Sequence, residues 1–451
     1  MTTHVGDAIL DRERLKQYFL DGCKAETDLC VGVEWEKIGV YRDSAEGIRY
    51  SGPNGVEAIF KALMEKFQWE GVFSGPHVIA LKKGESSITL EPGGQIELSG
   101  RKAALLKENA GELHEHLGEI KEVSEPLGIA WLGIGFQPVS AVEAIEWVPK
   151  ERYAIMRENL KTKGPLTYSM MKQTASIQIS LDYTSEGDAI EKLRLAMGLS
   201  PILSAVFANS PLSGGGLNGF YSKRAYVWSH TDPDRTGILY QVFDPAFGFD
   251  DYVEYALNVP MFFVLREGKW ISVNGIRFKE FLENGLGDGN PATKEDWELH
   301  LTTIFTEARL KKYVEIRSVD CQNRELSMSV PALLKGLFYD DASRKAAWNL
   351  VSDLSLEERL RLAHEAPVKG LKTKLGNTDL GEIGRELIRL GEEGLRRLPG
   401  AMASSDESKY LMPIKELLNK RLTPADSLIG CAAKNASRQE RIKQILKCAA
   451  I

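Results

Sequence analysis

The sequence predicts an α+β protein in which a mainly antiparallel sheet is followed by a helical C-terminal section. Three observations lead to this fold class. Segments with strand-like alternation are interspersed with helical segments, without the regular rhythm of βαβ units. Turns rich in glycine and proline separate neighbouring strand segments, as hairpins require. Beyond about residue 330 the apolar residues recur only at helical spacing.

Helices and strands alternate irregularly in the first half of the chain. Residues 7–21, 54–67 and 101–125 carry apolar residues at helical spacing. Residues 29–42, 77–98 and 129–137 alternate as strands do, and the middle segment contains enough turns for a hairpin or meander.

The second half continues this irregular order before it becomes helical. Strands are predicted at 174–182, within 260–279 and at 312–317, and a glycine-rich loop at 210–219. Helices are predicted at 188–208, after the capping box of Ser355 and Glu358, at 379–398 and after Thr423.

Size and composition are those of an ordinary globular protein. The chain has 451 residues, of which 43% are hydrophobic and 27% charged. We expect one catalytic domain over residues 1–451, with a sheet-bearing core at about 1–330 and a helical section at about 331–451. The net charge of −6 is spread along the chain, which argues against nucleic acid or an anionic membrane as the main partner.

The N-terminus and the cysteines predict a location. The first residues show no basic segment followed by an apolar stretch, so we expect a cytoplasmic protein. The five cysteines are irregularly spaced and form no CxxC pair. A zinc site or a disulfide framework is therefore not expected.

Glu34 and Glu36 form the first pair of candidate functional residues. Two residues apart on a strand, they point to the same face of the sheet. Carboxylates that close repel one another unless a positive group lies between them. Mg²⁺ is a natural partner because hard cations bind carboxylate oxygens, although an exposed strand edge gives the same pattern.

Further strands add charged and polar side chains. Glu91 and Glu97 flank a tight Pro-Gly-Gly turn, and Glu315 shares a strand face with Arg317. Gln178 lies on a fourth strand. Several carboxylates around a metal, together with an arginine that can bind phosphate through two hydrogen bonds, are typical of phosphoryl transfer from a nucleotide.

Other nucleotide and catalytic motifs are absent from the sequence. There is no GxxxxGK[ST] loop and no GxSxG, and Gly133 and Gly135 do not complete a dinucleotide-binding fingerprint. His114 and His116 lie in a charged helix, where we expect them to be solvated. A nucleotide must therefore be held by metal and by strand side chains.

Long ordered segments resemble the plant- and proteobacterial-type glutamate–cysteine ligases over nearly the whole chain. The clearest are Val-Glu-Trp-Glu-Lys at 33–37 and Leu-Glu-Pro-Gly-Gly-Gln-Ile-Glu-Leu at 90–98. The resemblance continues through residues 133–138, 207–211, 234–237, 255–261, 300–317 and 423–426.

This resemblance implies a member of the glutamine-synthetase-like carboxylate–amine ligases. Such a fold has a curved, mainly antiparallel sheet that forms an active-site funnel, with helices packed outside. In the implied reaction, ATP phosphorylates the γ-carboxylate of glutamate, and the amine of cysteine attacks the acyl phosphate. The product, γ-glutamylcysteine, is the first intermediate of glutathione biosynthesis.

The resemblance also implies residue roles. Mg²⁺ would be bound by Glu34, Glu36, Glu91, Glu97 and Glu315. Arg317 and Gln95 would contact ATP, and Arg317 and Arg235 would act on the transferring phosphate. Substrate contacts would come from Arg224, Gln178, Thr174 and Tyr153.

Some residues depart from the family pattern. Trp35 replaces the usual His between the first two glutamates, and Thr306 replaces a common Pro. Ala110, Val273 and Met328 stand in stretches where plant members carry regulatory cysteines, so control by those disulfides is not expected.

The departures leave other functions open. One is a γ-glutamyl ligase that uses a different amine in another thiol or natural-product pathway. Another is a non-catalytic binding protein on a ligase fold, which the intact set of acidic residues disfavours. The expected partners are the small-molecule substrates alone, without nucleic acid or membrane, for a monomer or homodimer.

Overall fold

A computed structural model describes residues 10–287, 291–404, 407–432 and 437–451 of the chain. The strands are β1 (Val31–Tyr41), β2 (Glu70–Ser74), β3 (His77–Lys83), β4 (Ser86–Leu90), β5 (Ile96–Ser99), β6 (Ile129–Leu132), β7 (Ser176–Leu181), β8 (Leu212–Ser213), β9 (Gly216–Leu217), β10 (Thr236–Gly237), β11 (Phe263–Arg266), β12 (Lys269–Ser272), β13 (Phe305–Thr306), β14 (Ala308–Leu310), β15 (Val314–Asp320), β16 (Lys374–Leu375) and β17 (Thr378–Asp379).

Helices lie before, between and after these strands. They are α1 (Arg12–Leu20), α2 (Val56–Phe67), α3 (Leu106–Ser124), α4 (Glu151–Leu160), α5 (Thr167–Gln173), α6 (Glu186–Val206), α7 (Lys223–Trp228), α8 (Phe249–Asn258), α9 (Phe278–Asn284), α10 (Lys294–Leu301), α11 (Arg324–Ser327), α12 (Ser329–Tyr339), α13 (Asp341–Asn349), α14 (Leu356–Lys369), α15 (Leu380–Arg397), α16 (Met412–Asn419), α17 (Pro424–Cys431) and α18 (Arg438–Ala449).

One sheet dominates the fold. Its strands run in the order β14, β15, β7, β1, β5, β4, β3 and β2, and β6 also pairs with β1. The strand pairs within this sheet are antiparallel. The α+β fold with a mainly antiparallel sheet is therefore confirmed.

The central strand β1 is long enough to pair with three neighbours. Its first half lies between β7 and β5, and its second half pairs with β6. Val33 and Trp35 point into the core, where Trp35 is only 2% exposed. Side chains alternate along a strand, so Glu34 and Glu36 lie on the opposite face. Trp35 is therefore a packing residue.

Helices cover the sheet and extend into the C-terminal section. The helix α6 packs on β14 and β15, and α2 packs on β3. Helices α12 and α15 pack closely on each other because Gly336, Gly391 and Gly394 leave room for the two backbones. The main hydrophobic core contains buried residues from Leu10 to Leu418, so the C-terminal helices share the core of the sheet.

The C-terminus returns to the sheet. Ile451 N–H donates to Trp131 O at 3.1 Å, and Gly133 N–H donates to Ala449 O at 2.9 Å. A disulfide joins Cys431 on α17 to Cys448 on α18. The sequence did not predict this disulfide, because the spacing of the cysteines does not reveal that α17 and α18 pack together.

Most predicted elements are present. The edge strand β2, the helices α4, α5 and α7 to α10, and the short hairpin of β16 and β17 were not predicted. His116 is buried rather than solvated, and neither ring nitrogen has a partner among the described residues. His114 is exposed, as expected. Residues 7–9 of the predicted entry helix lie outside the described residues.

No described helix combines the length and the apolar character that crossing a bilayer requires.

Candidate active site

The glutamate-bearing face of the sheet forms one wall of a cavity of about 330 Å³. Strands β1, β5, β7 and β15 supply its floor, and the turn between β4 and β5 forms its rim. Helices α4, α5 and α7 close the sides. The polar residues that line it are Glu34, Glu36, Thr89, Glu91, Gln95, Glu97, Arg152, Tyr153, Thr174, Ser176, Gln178, Arg224, Thr302, Thr303, Arg309 and Arg317.

Strand register explains why the predicted residues meet here. Glu36 on β1 lies directly opposite Glu97 on β5, and Glu34 lies opposite Gln178 on β7. Residues at paired positions of antiparallel strands point to the same face, so these side chains lie on one face of the sheet. Glu91 joins them because the turn at Pro92 and Gly93 brings the end of β4 back towards β5.

Hydrogen bonds hold two of these carboxylates in place. The carboxylate of Glu36 accepts from Ser176 N–H at 2.6 Å and from Gln178 Nε2 at 2.9 Å. Thr89 Oγ1 and Ser99 Oγ each donate to Glu97 Oε1 at 3.0 Å. These donors fix the orientation of the carboxylates without neutralising them.

The cluster lacks a positive partner of its own. In the described part of the chain, Glu34, Glu36, Glu91 and Glu97 form no ion pair with lysine, arginine or histidine. Burial, with repulsion from Glu97, raises the pKa of Glu34 to about 8. Burial, with repulsion from Glu91 and Glu97, raises the pKa of Glu36 to about 8. Burial and Glu97 also raise the pKa of Glu91.

A bound cation would relieve this repulsion. The donor set consists of carboxylate oxygens, which Mg²⁺ prefers. Among the described residues, however, no three such side chains converge into a ready cage for a metal. An ion held by one or two carboxylates, with the remaining ligands from phosphate and water, fits this geometry better than an all-protein site.

Glu315 is held by cations instead. Its carboxylate lies 2.5 Å from Arg309 Nη2, 3.2 Å from Lys311 Nζ and 2.9 Å from Arg317 Nη1. Burial alone would raise the pKa of Glu315, but the three cations outweigh it and hold the pKa far below its usual range. We therefore leave Glu315 out of the metal ligands, because its oxygens are already engaged.

Gln178 connects the two charged groups. Its Nε2 donates to Glu36, and its Oε1 accepts from Arg317 Nη1. Arg224 lies beside them, and its Nη2 donates to Arg317 O at 2.7 Å. The structure thus places Gln178, Arg224 and Arg317 together in the cavity, as the sequence predicted.

Arg235 does not line the cavity. Its guanidinium is 1% exposed and donates to Asp232 at 2.7 Å, to Thr303 O at 3.1 Å and to Pro260 O at 2.8 Å. It also stacks over the Phe262 ring at 3.8 Å. The structure therefore does not bring Arg235 to the cavity lining, and these donors are used within the fold.

Three further predicted residues line the cavity with their polar groups engaged. Gln95 Nε2 donates to Thr174 O at 2.8 Å, and its Oε1 accepts from Gly93 N–H at 3.0 Å. Thr174 Oγ1 donates to Met170 O, and Tyr153 OH donates to Leu90 O. Gln95 thus shapes the turn after Glu91, and we do not retain it as a nucleotide ligand.

Arg152 and Lys150 were not predicted from the sequence. Arg152 lines the cavity, and its only hydrogen bond among the described residues goes to Tyr153 OH at 3.3 Å. Lys150 Nζ donates to Leu90 O at 2.8 Å, which fixes the residue before Glu91. Both residues belong to an ordinary charged segment, so no pattern in the sequence marks them.

The protein-family model described as glutamate-cysteine ligase family 2 matches residues 30–447. The chain is 40% identical over 422 residues to the chloroplastic glutamate–cysteine ligase of Arabidopsis thaliana, covering 93% of this chain and 79% of that protein. It is 40% identical over 423 residues to the chloroplastic glutamate–cysteine ligase B of Oryza sativa subsp. japonica, covering 93% and 84%.

A solved structure shares the fold. The glutamate–cysteine ligase of Francisella tularensis in complex with AMP superposes with a TM-score of 0.56 at 11% identity, covering 94% of this chain and 89% of that one. At this identity the likeness concerns the fold alone.

The expected cytoplasmic location is contradicted by these comparisons. The relatives from Arabidopsis thaliana, Brassica juncea and Oryza sativa are all chloroplastic proteins. The N-terminal residues on which the expectation was based were therefore not a sound guide to location.

Proposed function

This chain belongs to glutamate–cysteine ligase family 2, and we propose that its cavity joins the γ-carboxylate of glutamate to the amine of cysteine at the expense of ATP. The reaction is the first step of glutathione biosynthesis. The observation that carries the proposal at the site is the cluster of unpaired buried carboxylates beside Arg317 and Arg224.

The carboxylate cluster would hold Mg²⁺. Glu36 on β1 and Glu97 on β5 occupy paired positions of two adjacent strands. Glu34 and Glu91 line the same cavity. The raised pKa values of Glu34, Glu36 and Glu91 reflect repulsion between neighbouring carboxylates, and a bound cation would relieve that repulsion. The ion, when bound, supplies positive charge that neutralises phosphate oxygens.

Arg317 and Arg224 would stabilise the phosphoryl group during transfer to glutamate. Glu315 and Gln178 fix the position of Arg317, so little rearrangement is needed when charge develops. Burial disfavours the charge of Arg317, but Glu315 outweighs this and raises the pKa of Arg317. The guanidinium therefore stays charged at any physiological pH.

Arg152 would bind the carboxylate of the amine substrate. Its guanidinium has no ion pair among the described residues, although it lies near the carboxylates of Glu91 and Glu97. A second amino-acid substrate brings one carboxylate into the cavity, and arginine can bind it through two parallel hydrogen bonds. The amine of that substrate would then point towards the acyl phosphate at the glutamates.

The two parts of the chain would act as one catalytic unit. The shared hydrophobic core supports a single domain over residues 1–451, as a monomer or homodimer. A γ-glutamyl ligase with another amine remains the alternative, because Trp35 and Thr306 depart from the family pattern.

The test is ADP release by the purified protein with ATP, Mg²⁺ and glutamate, with the amine varied. Cysteine is expected to stimulate release far above other amino acids. If another amino acid stimulates release as strongly, the alternative amine is correct. If no amine stimulates release, the chain is not a ligase.

Arg152→Ala tests the proposed contact with the amine substrate. Losing a charge-assisted hydrogen-bond pair should raise the KM for cysteine about 10- to 100-fold, with little change in the KM for ATP. Arg157→Ala is a matched control on the same helix, since Arg157 stacks on Trp147 and does not line the cavity. An unchanged KM for cysteine in Arg152→Ala would contradict the assignment.

A further inference from the structure

Methionines are concentrated on one wall of the cavity. Met156 on α4 and Met170 and Met171 on α5 all line it. The chain has ten methionines in 451 residues, so three at one small cavity is a local enrichment that packing alone does not require. Each is nearly buried, with 9%, 6% and 3% exposure respectively.

The polar groups on this wall are already used within the protein. Thr174 Oγ1 donates to Met170 O at 2.6 Å, and Tyr153 OH donates to Leu90 O at 2.5 Å. Gln95 donates to Thr174 O and accepts from Gly93 N–H. Among the described residues of this wall, only the guanidinium of Arg152 keeps several donors for a ligand.

An aromatic wall of the cavity lies on α7, which packs against α5, and on β13. Trp228 and Phe305 form it, and each ring centroid lies 5.8 Å from the guanidinium of Arg317. Trp228 also lies 5.9 Å from the guanidinium of Arg224. The aromatic wall thus accompanies the two arginines proposed to contact phosphate, whereas the methionine wall accompanies Arg152.

We propose that Met156, Met170 and Met171 form the seat for the side chain of the amine substrate and select a thiol over a hydroxyl. This inference rests on the proposed function. With the substrate carboxylate on Arg152 and its amine towards the glutamates, the methionine wall, which shares α4 with Arg152, offers an apolar surface for a short side chain.

The physical basis is the cost of removing polar groups from water. A thiol is a weak hydrogen-bond donor and packs well against polarisable thioethers. A hydroxyl loses strong hydrogen bonds to water, and this wall offers few in return. Serine should therefore react about 10- to 100-fold less efficiently than cysteine, which is the range an apolar pocket achieves.

The test compares kcat/KM for cysteine, serine and 2-aminobutyrate, which replaces the thiol by a methyl group. The wild-type protein should use 2-aminobutyrate within about 10-fold of cysteine and should reject serine. Equal use of serine and 2-aminobutyrate would overturn the proposal without any variant.

Variants of the methionines test whether these side chains contact the side chain of the amine substrate. Met156→Gln and Met171→Gln keep the length of the side chain and add hydrogen-bonding groups, so the cysteine-to-serine ratio should fall about 10-fold. Met156→Leu stays apolar and should retain the rejection of serine. Met328→Gln, a buried methionine that does not line the cavity, controls for a general effect of buried glutamine.

The outcomes separate this proposal from the proposed function. Glutamate-dependent ADP release with unchanged ratios in the folded Gln variants overturns the methionine seat alone. No release with any amine overturns both the ligase activity and the seat. Should the Gln variants not fold, equal use of serine and 2-aminobutyrate by the wild type would still overturn the proposal.

Discussion

Two groups of glutamates lie on the same face of one sheet and have opposite electrostatic environments. Glu34, Glu36 and Glu91 line the cavity without an ion pair among the described residues, and their pKa values are raised by burial and by repulsion from neighbouring glutamates, which include Glu97 in each case. Glu315, two strands away from β1, is surrounded by Arg309, Lys311 and Arg317, which lower its pKa.

The difference shows that residue type and strand position do not determine the role of a carboxylate. Glu36 and Glu315 are buried, Glu34 and Glu91 are half-buried, and all four belong to strands or turns of one sheet. The group without cations is left with an excess of negative charge that can bind a positive ligand. The carboxylate with three cations already has its counter-ions and instead fixes the arginines.

The largest expected effect comes from removing charge in the unpaired group. Glu36→Gln should lower kcat by about 10²- to 10³-fold, because a carboxylate proposed to hold the metal is lost. The fold should persist, since Ser176 N–H can donate to the amide oxygen in place of the carboxylate.

Glu70→Gln is the control for this variant, because Glu70 is exposed on the edge strand β2 of the same sheet. Rates and thermal unfolding would be measured for both. A normal rate in Glu36→Gln would remove this residue from the proposed metal site.

The next largest effect concerns Glu315, the carboxylate with three cationic partners, and should appear mainly in stability. Glu315→Gln leaves Arg309, Lys311 and Arg317 in a buried site without their counter-ion. The free energy of unfolding should fall by about 3–5 kcal/mol, as for other broken buried ion pairs.

Denaturant titration of Glu315→Gln beside Glu36→Gln measures this contrast directly. The comparison predicts that the first variant loses stability and the second does not. If both variants lose the same free energy of unfolding, the ion pairs of Glu315 do not distinguish its contribution to stability from that of Glu36.

The smallest effect is a pH dependence of stability. In the metal-free protein the pKa of Glu36 is about 8, whereas an unfolded glutamate titrates near 4.5. Between these values the folded state holds more protons than the unfolded state, so raising the pH lowers stability. The slope is at most about 1.4 kcal/mol per pH unit for each additional proton held.

Thermal unfolding of the wild type and Glu36→Gln between pH 5 and pH 8 would measure this slope by difference. Glu36→Gln should gain stability relative to the wild type as the pH rises. Adding Mg²⁺ should reduce that gain, because bound cation lowers the pKa of the carboxylates. A difference that stays constant with pH would contradict the raised pKa.

The sequence predicted the strands that carry the site because period-two alternation is a local property. It placed Glu34, Glu36, Glu91, Glu97, Gln178 and Arg317 on strands or at a turn, and the register brings these residues into one cavity. It could not distinguish Arg224 from Arg235, since the resemblance implied a contact with substrate or phosphate for both. Only packing buries Arg235 among backbone carbonyls.

The sequence by itself determined the fold class, the family and the acidic character of the site, because these follow from local periodicity and from ordered motifs. The tertiary structure decided which glutamates lack a counter-ion, placed Arg152 at the cavity, buried His116 and gathered three methionines on one wall. These properties depend on contacts between segments far apart in the chain, and the spacing of residues along a sequence does not specify them.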